Sequence, residues 1–468
     1  MAGKYPAYPE YKDTQVEWLG NVPTDWKLSR IKYLCYVNDG NHGEEYPKEA
    51  DYTDKDNGVP FIRGGNMEGH AIVDDGMLYI SKTKNNSMRK GRLERGDILF
   101  MNRGEIGKLA LITETHAGAN LNSQIAYLRS YRTEVVNKYL LYYLASGSVS
   151  NLLASMKMGS VLTQFPIGNL LEIYVPLPSD EEQQKIANFL DHEIAKIDTL
   201  IDKQQQLIKL LKEKRQAVIS HAVTKGLNPD APMRYSGIEW LGEVPEGWDV
   251  NNINYVINAI GDVDHYMPQS VEKGIPYVMT GDLKELASSI NFEGCKQVSH
   301  ENYLKLSKKI KNSRGDVIMA RYATIGTASY IDVDADFLVS YSCVTIKPNL
   351  SKVSGLYLFY YFKSDAFLQG IKNQINTNTQ ENVGVNDLKK VKVALPTLAE
   401  QSKIIEYLQS KISKLDSISD RSQAAIDLMK ERRTALISAA VTGKFDVRNW
   451  QPPEPLHTDN NNNKEVVV

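Results

Sequence analysis

The chain contains an internal repeat, which constrains its fold more than any other feature of the sequence. Segments of the first half recur in the same order in the second half, at an offset close to half of the 468 residues. The matched segments are Glu17–Pro23 with Glu239–Pro245, Gly58–Phe61 with Gly274–Tyr277, Arg95–Met101 with Arg314–Ala320, and Lys212–Thr224 with Lys430–Thr442. In the last pair, nine of thirteen positions are identical. The sequence therefore predicts two copies of one structural unit.

Between the matched segments the two copies differ widely, for example in Asn41–Asn57 against Gly261–Lys273. A common frame therefore presents different surfaces. Single hydrophobic cores stop growing at about 250–300 residues, so a chain of 468 residues needs several domains. Hydrophobic residues make up 42% and charged residues 24%, which are the proportions of a globular protein.

Charge, cysteines and hydropathy exclude several classes. The formal net charge of -2 argues against nucleic-acid binding driven by overall positive charge, although it leaves local patches open. Cys35, Cys295 and Cys343 lack Cys-x-x-Cys spacing, so they suggest neither a disulfide framework nor a zinc site. The sequence has no apolar signal region and no run of about 18 uncharged apolar residues. We expect a soluble, cytoplasmic protein that does not contact a membrane.

Two capping boxes mark the start of two long helices. Ser179-x-x-Glu182 and Thr397-x-x-Glu400 each follow a proline, and their hydroxyl and carboxylate groups are expected to satisfy first-turn amides. Behind each box, about 40 residues run without glycine or proline, and apolar residues recur at alternating spacings of three and four. The helices are expected to end near Gly226 and Gly443. So narrow a seam needs a partner, and we predict that the two helices form an antiparallel coiled coil.

The predicted seam contains both apolar and polar positions. They include Ile197, Ile201, Gln204, Ile208 and Leu211 in the first helix, and Leu415, Ser422, Ile426 and Met429 in the second. Near the middle, we expect Gln204 and Ser422 to hydrogen-bond and help fix the register; alternatively, both are tolerated at a loose or hydrated stretch. Near the helix ends, we expect Arg215 and Arg433 to meet acidic residues of a partner or a globular part. Otherwise the seam opens there and both arginines reach water.

The rest of the chain predicts a mixed α/β (α+β) class. Short β-rich runs such as Asp97–Met101, Val317–Ala320 and Val339–Ile346 alternate with glycine-rich turns. The aromatic segments Tyr139–Leu144 and Tyr357–Phe362 are expected to be buried helices without chemical roles. The predicted fold is two globular domains joined by two long antiparallel helices in a coiled coil, with an internal pseudo-two-fold repeat. The predicted boundaries are 1–178 and 228–396 for the globular domains, 179–227 and 397–444 for the helices, and 445–468 for a flexible tail.

Positive charge is concentrated in one stretch of each copy. The basic residues are Lys82, Lys84, Arg89, Lys90, Arg92 and Arg95 in the first copy, and Lys305, Lys308, Lys309, Lys311 and Arg314 in the second. A single acidic residue, Glu94, interrupts the first stretch, and none interrupts the second. Because both stretches lead into equivalent Arg-Gly-Asp turns, we expect two phosphate-contacting surfaces. Solvated charges without a ligand are the alternative.

Base edges in DNA are read by arginine, asparagine and glutamine side chains on exposed loops. The candidates are Asn102, Arg103, Asn122 and Gln124 in the first copy, and Arg321, Tyr322 and Tyr341 in the second. For each of these residues taken alone, an ordinary turn or a structural hydrogen bond is the simpler role.

The sequence lacks the common catalytic signatures. Gly-x-x-x-x-Gly-Lys-Ser/Thr, Gly-x-Gly-x-x-Gly, His-Glu-x-x-His and Gly-x-Ser-x-Gly are all missing. Asn228–Ala231 approaches a methyltransferase Asn-Pro-Pro-aromatic tetrad but lacks the second proline and the aromatic residue. The eight histidines form no ligand-spaced cluster. We therefore expect neither catalysis nor a metal site in this chain.

Taken together, these motifs make the chain resemble the specificity subunits of type I restriction-modification systems over nearly its whole length. The resemblance lies in the Glu-Trp-Leu-Gly-x-Val-Pro entry, the Pro-Leu-Pro-x-x-x-Glu-Gln run at Pro176–Gln183, and the Lys-Glu-x-Arg-x-Ala-x-Ile-Ser ending. The second copy departs from the middle motif at Ala394, which replaces its first proline.

The resemblance implies a division of labour. Each globular domain would be a target-recognition domain that reads one half of a bipartite, asymmetric site in double-stranded DNA. The paired helices would act as a spacer and dock two methyltransferase subunits, and motor-nuclease subunits would join that complex. Adenine methylation with S-adenosylmethionine, and cleavage driven by ATP with Mg²⁺, would belong to those partners, and this chain would bind no cofactor. The alternative is a non-enzymatic coiled-coil adaptor that binds proteins rather than DNA.

Overall fold

The computed structural model describes residues 5–131, 135–157, 164–322, 324–374 and 382–452. The chain divides into unit 1, which comprises Met1–Lys203 and Ala425–Val468, and unit 2, which comprises Gln204–Ala424. Both divisions fall inside long helices, so each unit contains a segment of both helices. Within the predicted tail, residues 453–468 lie outside the described residues.

The strands of unit 1 are mostly short. They are β1 (Tyr11–Asp13), β2 (Asn21–Pro23), β3 (Lys27–Arg30), β4 (Cys35–Asp39), β5 (Tyr52–Thr53), β6 (Gly58–Ile62), β7 (Met67–Glu68), β8 (Ala71–Ile72), β9 (Leu78–Ser81), β10 (Ile98–Met101), β11 (Leu109–Leu111), β12 (Asn120–Leu121), β13 (Ile125–Ser130) and β14 (Tyr174–Leu177). The main sheet is antiparallel, in the order β11-β10-β13-β4. A second sheet has the order β12-β6-β9-β5, in which β12 runs parallel to β6.

Helices accompany these sheets and close the first copy. They are α1 (Lys82–Ser87), α2 (Asn137–Leu144), α3 (Gly147–Lys157), α4 (Ile167–Leu171) and the long α5 (Asp180–Lys225). Helix α5 begins directly after Ser179 and ends directly before Gly226, as the capping box and the glycine predicted. Gly226 adopts a φ of 78°, a left-handed conformation that glycine tolerates at a helix end.

Unit 2 repeats the arrangement. Its strands are β15 (Met233–Tyr235), β16 (Glu243–Pro245), β17 (Asp249–Asn252), β18 (Ile257–Gly261), β19 (Ile275–Val278), β20 (Lys296–Val298), β21 (Val317–Ala320), β22 (Ala328–Tyr330), β23 (Leu338–Val339), β24 (Cys343–Pro348) and β25 (Lys392–Leu395). Its helices are α6 (Ile253–Val256), α7 (His300–Leu306), α8 (Gly355–Phe362), α9 (Asp365–Lys372), α10 (Val385–Leu388) and the long α11 (Leu398–Val441). The main sheet, β18-β24-β21-β22, has the order of its counterpart in unit 1.

The central strands are buried on both faces, which explains their uninterrupted apolar sequences. Every residue of β10 and β21 is buried. In β21, Val317 and Met319 contribute to a core that includes α8, whereas Ile318 and Ala320 contribute to a core that includes β19 and β23. Alternate residues of a strand point to opposite faces, so a strand covered on both sides shows no polar alternation. The predicted buried aromatic helices are confirmed as α2 and α8.

One predicted strand is wrong. Val339–Ile346 is not continuous, because a turn at Ser340–Ser342 separates β23 from β24. The hydroxyl oxygens of Ser340 and Ser342 lie 2.6 Å apart, and the backbone nitrogen of Cys343 donates to the Ser340 carbonyl at 2.9 Å. Serine side chains that bond within a turn compete with the strand ladder. The two strands consequently belong to different sheets.

In unit 1 the capping box is only half as predicted. The Ser179 hydroxyl accepts a hydrogen bond from the backbone nitrogen of Glu182 at 3.3 Å. The Glu182 carboxylate instead accepts from Trp26 Nε1 at 3.2 Å and from the Tyr8 hydroxyl at 2.5 Å. The expectation that this carboxylate satisfies a first-turn amide is therefore wrong. A buried indole N–H needs an acceptor, and the glutamate provides it.

Unit 2 repeats this correction. The Thr397 hydroxyl accepts from the backbone nitrogen of Glu400 at 3.3 Å, while Trp248 Nε1 donates to the Glu400 carboxylate at 3.0 Å. The next residue of each motif, Gln183 or Gln401, is fully buried and accepts from a backbone nitrogen just before α2 or α8. The Glu-Gln pair thus joins the start of each long helix to Trp26 or Trp248 and to the aromatic helix.

In each unit, one tyrosine of the aromatic helix binds the segments that form the two long helices or lead into them. The Tyr139 hydroxyl donates to carbonyls of Pro176 in β14 and Val441 in α11, at 2.7 and 3.3 Å. The Tyr357 hydroxyl binds β25 and α5 in the same way, at 2.9 and 3.1 Å. Each unit therefore holds the start of one long helix beside the end of the other, so the paired segments run antiparallel.

The residues at the two ends of the described chain also meet in unit 1. The backbone nitrogen of Asp446 donates to the Pro6 carbonyl at 2.7 Å, and the rings of Tyr5 and Phe445 stack with centroids 5.1 Å apart. Within the predicted tail, Phe445, Val447 and Trp450 thus pack on the domain. Unit 1 is closed by contacts between residues from opposite ends of the sequence.

The seam residues lie at least partly out of solvent. Ile197, Ile201, Ser422 and Ile426 are buried, and Gln204, Ile208, Leu211, Leu415 and Met429 are half-buried. Within the part of the chain that the structure describes, Gln204 and Ser422 do not form the predicted hydrogen bond, so both are polar residues tolerated in the seam. Gln204 is half-buried, so water can still reach its amide in place of the missing hydrogen bond.

Both seam arginines meet acidic residues, and for Arg215 one of them belongs to the globular part, as predicted, whereas Asp198, which meets Arg433, belongs to α5. Arg215 Nε lies 3.1 Å from Asp416, and its Nη2 lies 2.6 Å from Glu285 of the globular part. Arg433 Nε lies 3.4 Å from Asp198. None of the helices in the described ranges combines the length and apolarity that crossing a membrane requires.

Candidate nucleic-acid interface

In unit 1 the predicted base-reading residues converge at one edge of the main sheet. Asn102 and Arg103 follow β10, and Asn122 and Gln124 precede β13, the antiparallel neighbour of β10. The end of one strand therefore lies beside the start of the other. The backbone nitrogens of Asn102 and Arg103 both donate to the Gln124 carbonyl, at 3.0 and 3.3 Å. The fold thus brings together all four residues that the sequence nominated in this copy.

Their side chains differ in accessibility. Gln124 is exposed and Arg103 is half-buried. Asn122 is buried, and its Oδ1 accepts from the Gln124 backbone nitrogen at 3.0 Å, so it shapes the turn. Asn102 is only 1% exposed, and neither its Oδ1 nor its Nδ2 has a hydrogen-bond partner. Gln124 and Arg103 are therefore the residues of this loop that a ligand reaches directly.

The equivalent edge of unit 2 carries different chemistry. Arg321 follows β21, and its backbone nitrogen donates to the Ser342 carbonyl at 3.0 Å. Its guanidinium is buried, pairs with Asp262 and donates to the Tyr341 carbonyl at 3.3 Å. The Tyr341 ring stacks on His265 with centroids 5.0 Å apart. Tyr322 is half-buried, and its ring centroid lies 5.0 Å from the Arg321 guanidinium carbon.

The basic stretch of unit 1 is largely neutralised by acidic residues from other segments. Ion pairs join Lys84 to Asp51, Arg89 to Glu45, Lys90 to Asp39 and Arg95 to Glu114. Lys82 is exposed and forms no ion pair within the described ranges. Arg92 Nη2 donates to the carbonyls of Asn85 and Asn86, at 3.1 and 3.0 Å, so its charge has no counterion there.

The basic stretch of unit 2 is neutralised in the same manner. Ion pairs join Lys309 to Asp262, Lys311 to Asp336 and Arg314 to Asp334, at 3.1, 3.2 and 3.2 Å. Lys308 is exposed and has no ionic partner among the residues described, while Lys305 lies over the Tyr266 ring at 5.5 Å. Exposed ion pairs are worth only about 0–1 kcal/mol, so a phosphate can compete with these carboxylates at little cost.

A repeated cluster beside these loops escaped the sequence analysis. Asp39 is the last residue of β4 in the main sheet of unit 1, accepts from Lys90 and lies 2.8 Å from His42 Nε2. Burial opposes ionisation of Asp39, but the hydrogen bonds from Lys90 and His42 prevail and lower its pKa.

In unit 2, Asp262 occupies the same place, with Lys309 Nζ at 3.1 Å and His265 Nε2 at 3.5 Å. The spacing Asp-x-x-His, which occurs once before each basic stretch, was the available signal. Within the described ranges, no group of three or more His, Cys, Asp or Glu side chains is arranged to hold a metal ion.

Comparison with known families gives a match in both copies. The family described as the type I restriction modification DNA specificity domain matches residues 23–210 and again residues 245–427. The chain is 21% identical over 421 residues to the type I restriction enzyme EcoBI specificity subunit of Escherichia coli, covering 87% of this chain and 84% of that protein. It is 22% identical over 454 residues to the type I restriction enzyme MjaIX specificity subunit of Methanocaldococcus jannaschii, covering 94% and 97%.

The fold is also similar to a solved structure. A chain from a structure that addresses complex assembly and conformational transition of the type I R-M system superposes with a TM-score of 0.67 at 16% identity. The similarity covers 91% of this chain and 99% of that chain. The predicted class, two mixed α/β domains and two long antiparallel helices arranged as a repeat, is confirmed by the fold and by this similarity.

Proposed function

Because the chain belongs to the type I restriction modification DNA specificity family, we propose that it gives a type I restriction-modification complex its DNA sequence specificity. The duplicated family domain carries this proposal, since each copy has a polar loop at one edge of its main sheet, beside a basic stretch. Residues 1–178 and 228–396 would each read one half of a bipartite site in double-stranded DNA. Residues 179–227 and 397–444 would form the helical spacer.

The two halves of the site should differ in sequence. At equivalent positions, unit 1 offers Arg103 and Gln124 where unit 2 offers Tyr322 and Ser342. Arginine pairs with two acceptors of guanine and glutamine pairs with adenine in the major groove, while tyrosine and serine make single hydrogen bonds. Side chains of such different bonding capacity do not select the same bases.

Phosphate contacts would position each domain without reading sequence. The proposed contacts in unit 1 are Lys82, Lys84, Arg89, Lys90 and Arg92, and in unit 2 they are Lys308, Lys309, Lys311 and Arg314. Lys82, Arg92 and Lys308 are the first candidates, because none of them forms an ion pair with a carboxylate among the residues that the structure describes. The remaining residues would exchange a surface carboxylate for a phosphate.

The remaining activities of the system would belong to other subunits. We propose that the chain binds two methyltransferase subunits, which use S-adenosylmethionine to methylate adenine, and motor-nuclease subunits, which use ATP and Mg²⁺. The chain itself would bind no cofactor and catalyse no reaction. We propose that the complex acts on DNA in the cytoplasm.

Methylome mapping tests the proposal directly. A host with the modification subunits and this chain should show adenine methylation at one bipartite sequence, and a host without the chain should show none at that sequence. Methylation that does not depend on the chain contradicts the proposal. In that case, recovery of bound proteins but no bound DNA would favour the adaptor alternative.

Two variants assign the roles within unit 1. Gln124→Ala should relax sequence preference in one half-site only, at a cost of about 1–3 kcal/mol for the preferred base. Arg92→Ala should weaken binding to all sequences alike and reduce the slope of log K against log salt by about 1. The exposed Gln184 on α5 provides a control, since Gln184→Ala should change neither quantity.

A further inference from the structure

A cavity in unit 1 lies where the globular part meets the helix α11. Its volume is about 410 Å³. The wall includes His70, Gly107, Lys108, Ser150, Leu153 and Arg433. A cavity of this size accommodates a small organic molecule, and the charged arginine indicates which kind.

Unit 2 shows how the same place is filled when the chain supplies its own anion. There Arg215, the repeat counterpart of Arg433, lies near Asp416 through Nε and forms a salt bridge with Glu285 through Nη2 at 2.6 Å. Glu285 also pairs with Lys363. One carboxylate thus links two cations at the junction between helix and globular part.

His70 occupies the place of Glu285 in unit 1. The carbonyl of His70 accepts from the backbone nitrogen of Leu111, and the carbonyl of Glu285 accepts from that of Tyr330, the equivalent residue of β22. Ala145 stands where unit 2 has Lys363, each directly after the aromatic helix. Unit 1 therefore has no carboxylate and no lysine at these two positions, and the second cation in its wall is Lys108.

Because unit 1 has His70 where unit 2 has Glu285, Arg433 has no carboxylate at that position. Arg433 Nε is buried without a hydrogen bond, and Asp198 at 3.4 Å is its ionic partner within the described ranges. The side chain is 24% exposed, so water solvates it only in part. Neutral His70 cannot balance the charge, and burial together with Arg433 lowers the pKa of His70 to about 4.

We propose that this cavity binds the carboxylate group of a small organic acid, which takes the place that the Glu285 side chain fills in unit 2. Arginine and carboxylate form charge-assisted hydrogen bonds, which are roughly twice as strong as neutral ones. The imidazole of His70 and the hydroxyl of Ser150 lie in the same wall and offer further donors. None of the four proposed base-reading residues of unit 1 lies in the wall of this cavity.

Thermal denaturation of the full chain at pH 7.5 and constant ionic strength tests the site, with acetate or glutarate replacing chloride. A ligand that binds only the folded state raises Tm with concentration and saturates. We expect such a rise for the unaltered chain. A tenfold or greater preference for glutarate would show that the cavity binds a small diacid, whereas equal responses would show that a single carboxylate is enough.

Three variants make the test decisive. His70→Glu brings a carboxylate into the cavity wall that also contains Arg433, so it should raise Tm and abolish the response to acetate. Arg433→Gln should also lose the response. Glu285→Ala is the positive control, because it empties the equivalent place in unit 2 and should create a second response.

The proposal is overturned if the unaltered chain does not respond to either acid while Glu285→Ala does. It is also overturned if His70→Glu and the unaltered chain respond equally, since the acid would then bind elsewhere. Because His70→Glu is expected to stabilise the chain, the test does not depend on a variant that fails to fold.

Discussion

Asn102 in unit 1 and Arg321 in unit 2 occupy the same position after equivalent strands, yet their surroundings differ completely. Arg321 is buried and held by Asp262 and the Tyr341 carbonyl. Asn102 is buried equally deeply but has no hydrogen-bond partner for its amide. Both backbone nitrogens bond to the neighbouring loop, that of Asn102 to the Gln124 carbonyl and that of Arg321 to the Ser342 carbonyl. The repeat therefore preserves the frame of the loop and leaves its polar contents free to change.

The same contrast appears where the globular parts meet the long helices. Glu285 compensates Arg215 in unit 2, whereas unit 1 places His70 beside Arg433. Positions that build the frame, such as the Trp26–Glu182 and Trp248–Glu400 hydrogen bonds, are identical in both. At these places the two units differ in side-chain contacts while the hydrogen bonds that build the frame are kept.

The largest expected effect comes from removing Arg321. Arg321→Ala leaves Asp262, which is 12% exposed, with Lys309 and His265 alone. Leaving one member of a buried ion pair unpaired typically costs 3–5 kcal/mol, and because Lys309 remains we expect about 3 kcal/mol. Thermal or urea denaturation measures this loss. Arg321→Lys keeps the charge and should lose less; an equal loss in both variants would mean that the charge is not what matters.

The second largest effect is a pH dependence of stability that comes from His70 in unit 1. The pKa of His70 is about 4 in the folded chain, against 6.5 for an unperturbed histidine, so the unfolded state binds protons more readily between those values. Stability should therefore fall as pH decreases from 6.5 towards 4, by roughly 2–3 kcal/mol in all.

Glu285 in unit 2 behaves differently. Burial opposes its ionisation, but Lys363 and Arg215 prevail and lower its pKa below 4.5, so its contribution is lost only in more acidic solution. Denaturation at pH 7, 5.5 and 4.5 should show a loss that disappears in His70→Gln. An unchanged pH profile in that variant would refute the assignment.

A third prediction compares Glu182 and Glu400, the two glutamates that accept hydrogen bonds from tryptophan side chains. Glu182 accepts from both Trp26 and Tyr8, whereas Glu400 accepts from Trp248. Hydrogen bonds to charged groups contribute about 1.5–3 kcal/mol, so Glu182→Gln should cost about 2 kcal/mol and Glu400→Gln somewhat less, at about 1.5 kcal/mol. Urea denaturation followed by tryptophan fluorescence measures both. The reverse order would show that the tyrosine bond adds nothing.

The smallest effect is expected at Asn102. Because its amide is buried and unpartnered, Asn102→Ala removes a polar group that gains no hydrogen bond on folding, and stability should stay within about 1 kcal/mol of the starting value. Asn122→Ala in the same loop is the matched control, since it removes the acceptor for the Gln124 nitrogen and should destabilise the chain. A large loss in Asn102→Ala alone would contradict the absence of a partner.

Local sequence signals predicted much of this fold. Capping residues, seam spacing and terminal glycines located both long helices, because each signal reports contacts within a few residues along the chain. The copy comparison paired Arg95–Met101 with Arg314–Ala320, which contain the equivalent strands β10 and β21. The prediction failed where a turn interrupts an apolar run, as at Ser340–Ser342, since periodicity does not detect side-chain bonds within the turn.

Contacts between distant segments were not predictable. The basic stretch of unit 1 looked uncompensated because its partners Asp39, Glu45 and Asp51 lie about 40 residues upstream and approach only through the fold. Asn102 looked like an exposed reader because asparagine usually lies at the surface. Glu182 and Glu400 were expected to cap their own helices, because the distant tryptophans that they accept from are not part of the local sequence pattern.

The contact between Pro6 and Asp446 bears on the order in which the chain can fold during synthesis. Unit 2 is continuous, so its residues 204–424 are all present once they have left the ribosome. Unit 1 needs residues 425–452 beside segments made at the start, and at about 5–20 residues per second it waits roughly 12–50 s for them. Until then, the surfaces of Phe189 and Tyr5 that Phe445 covers remain open to water and to chaperones. The half of the protein that is made first is thus the half that is finished last.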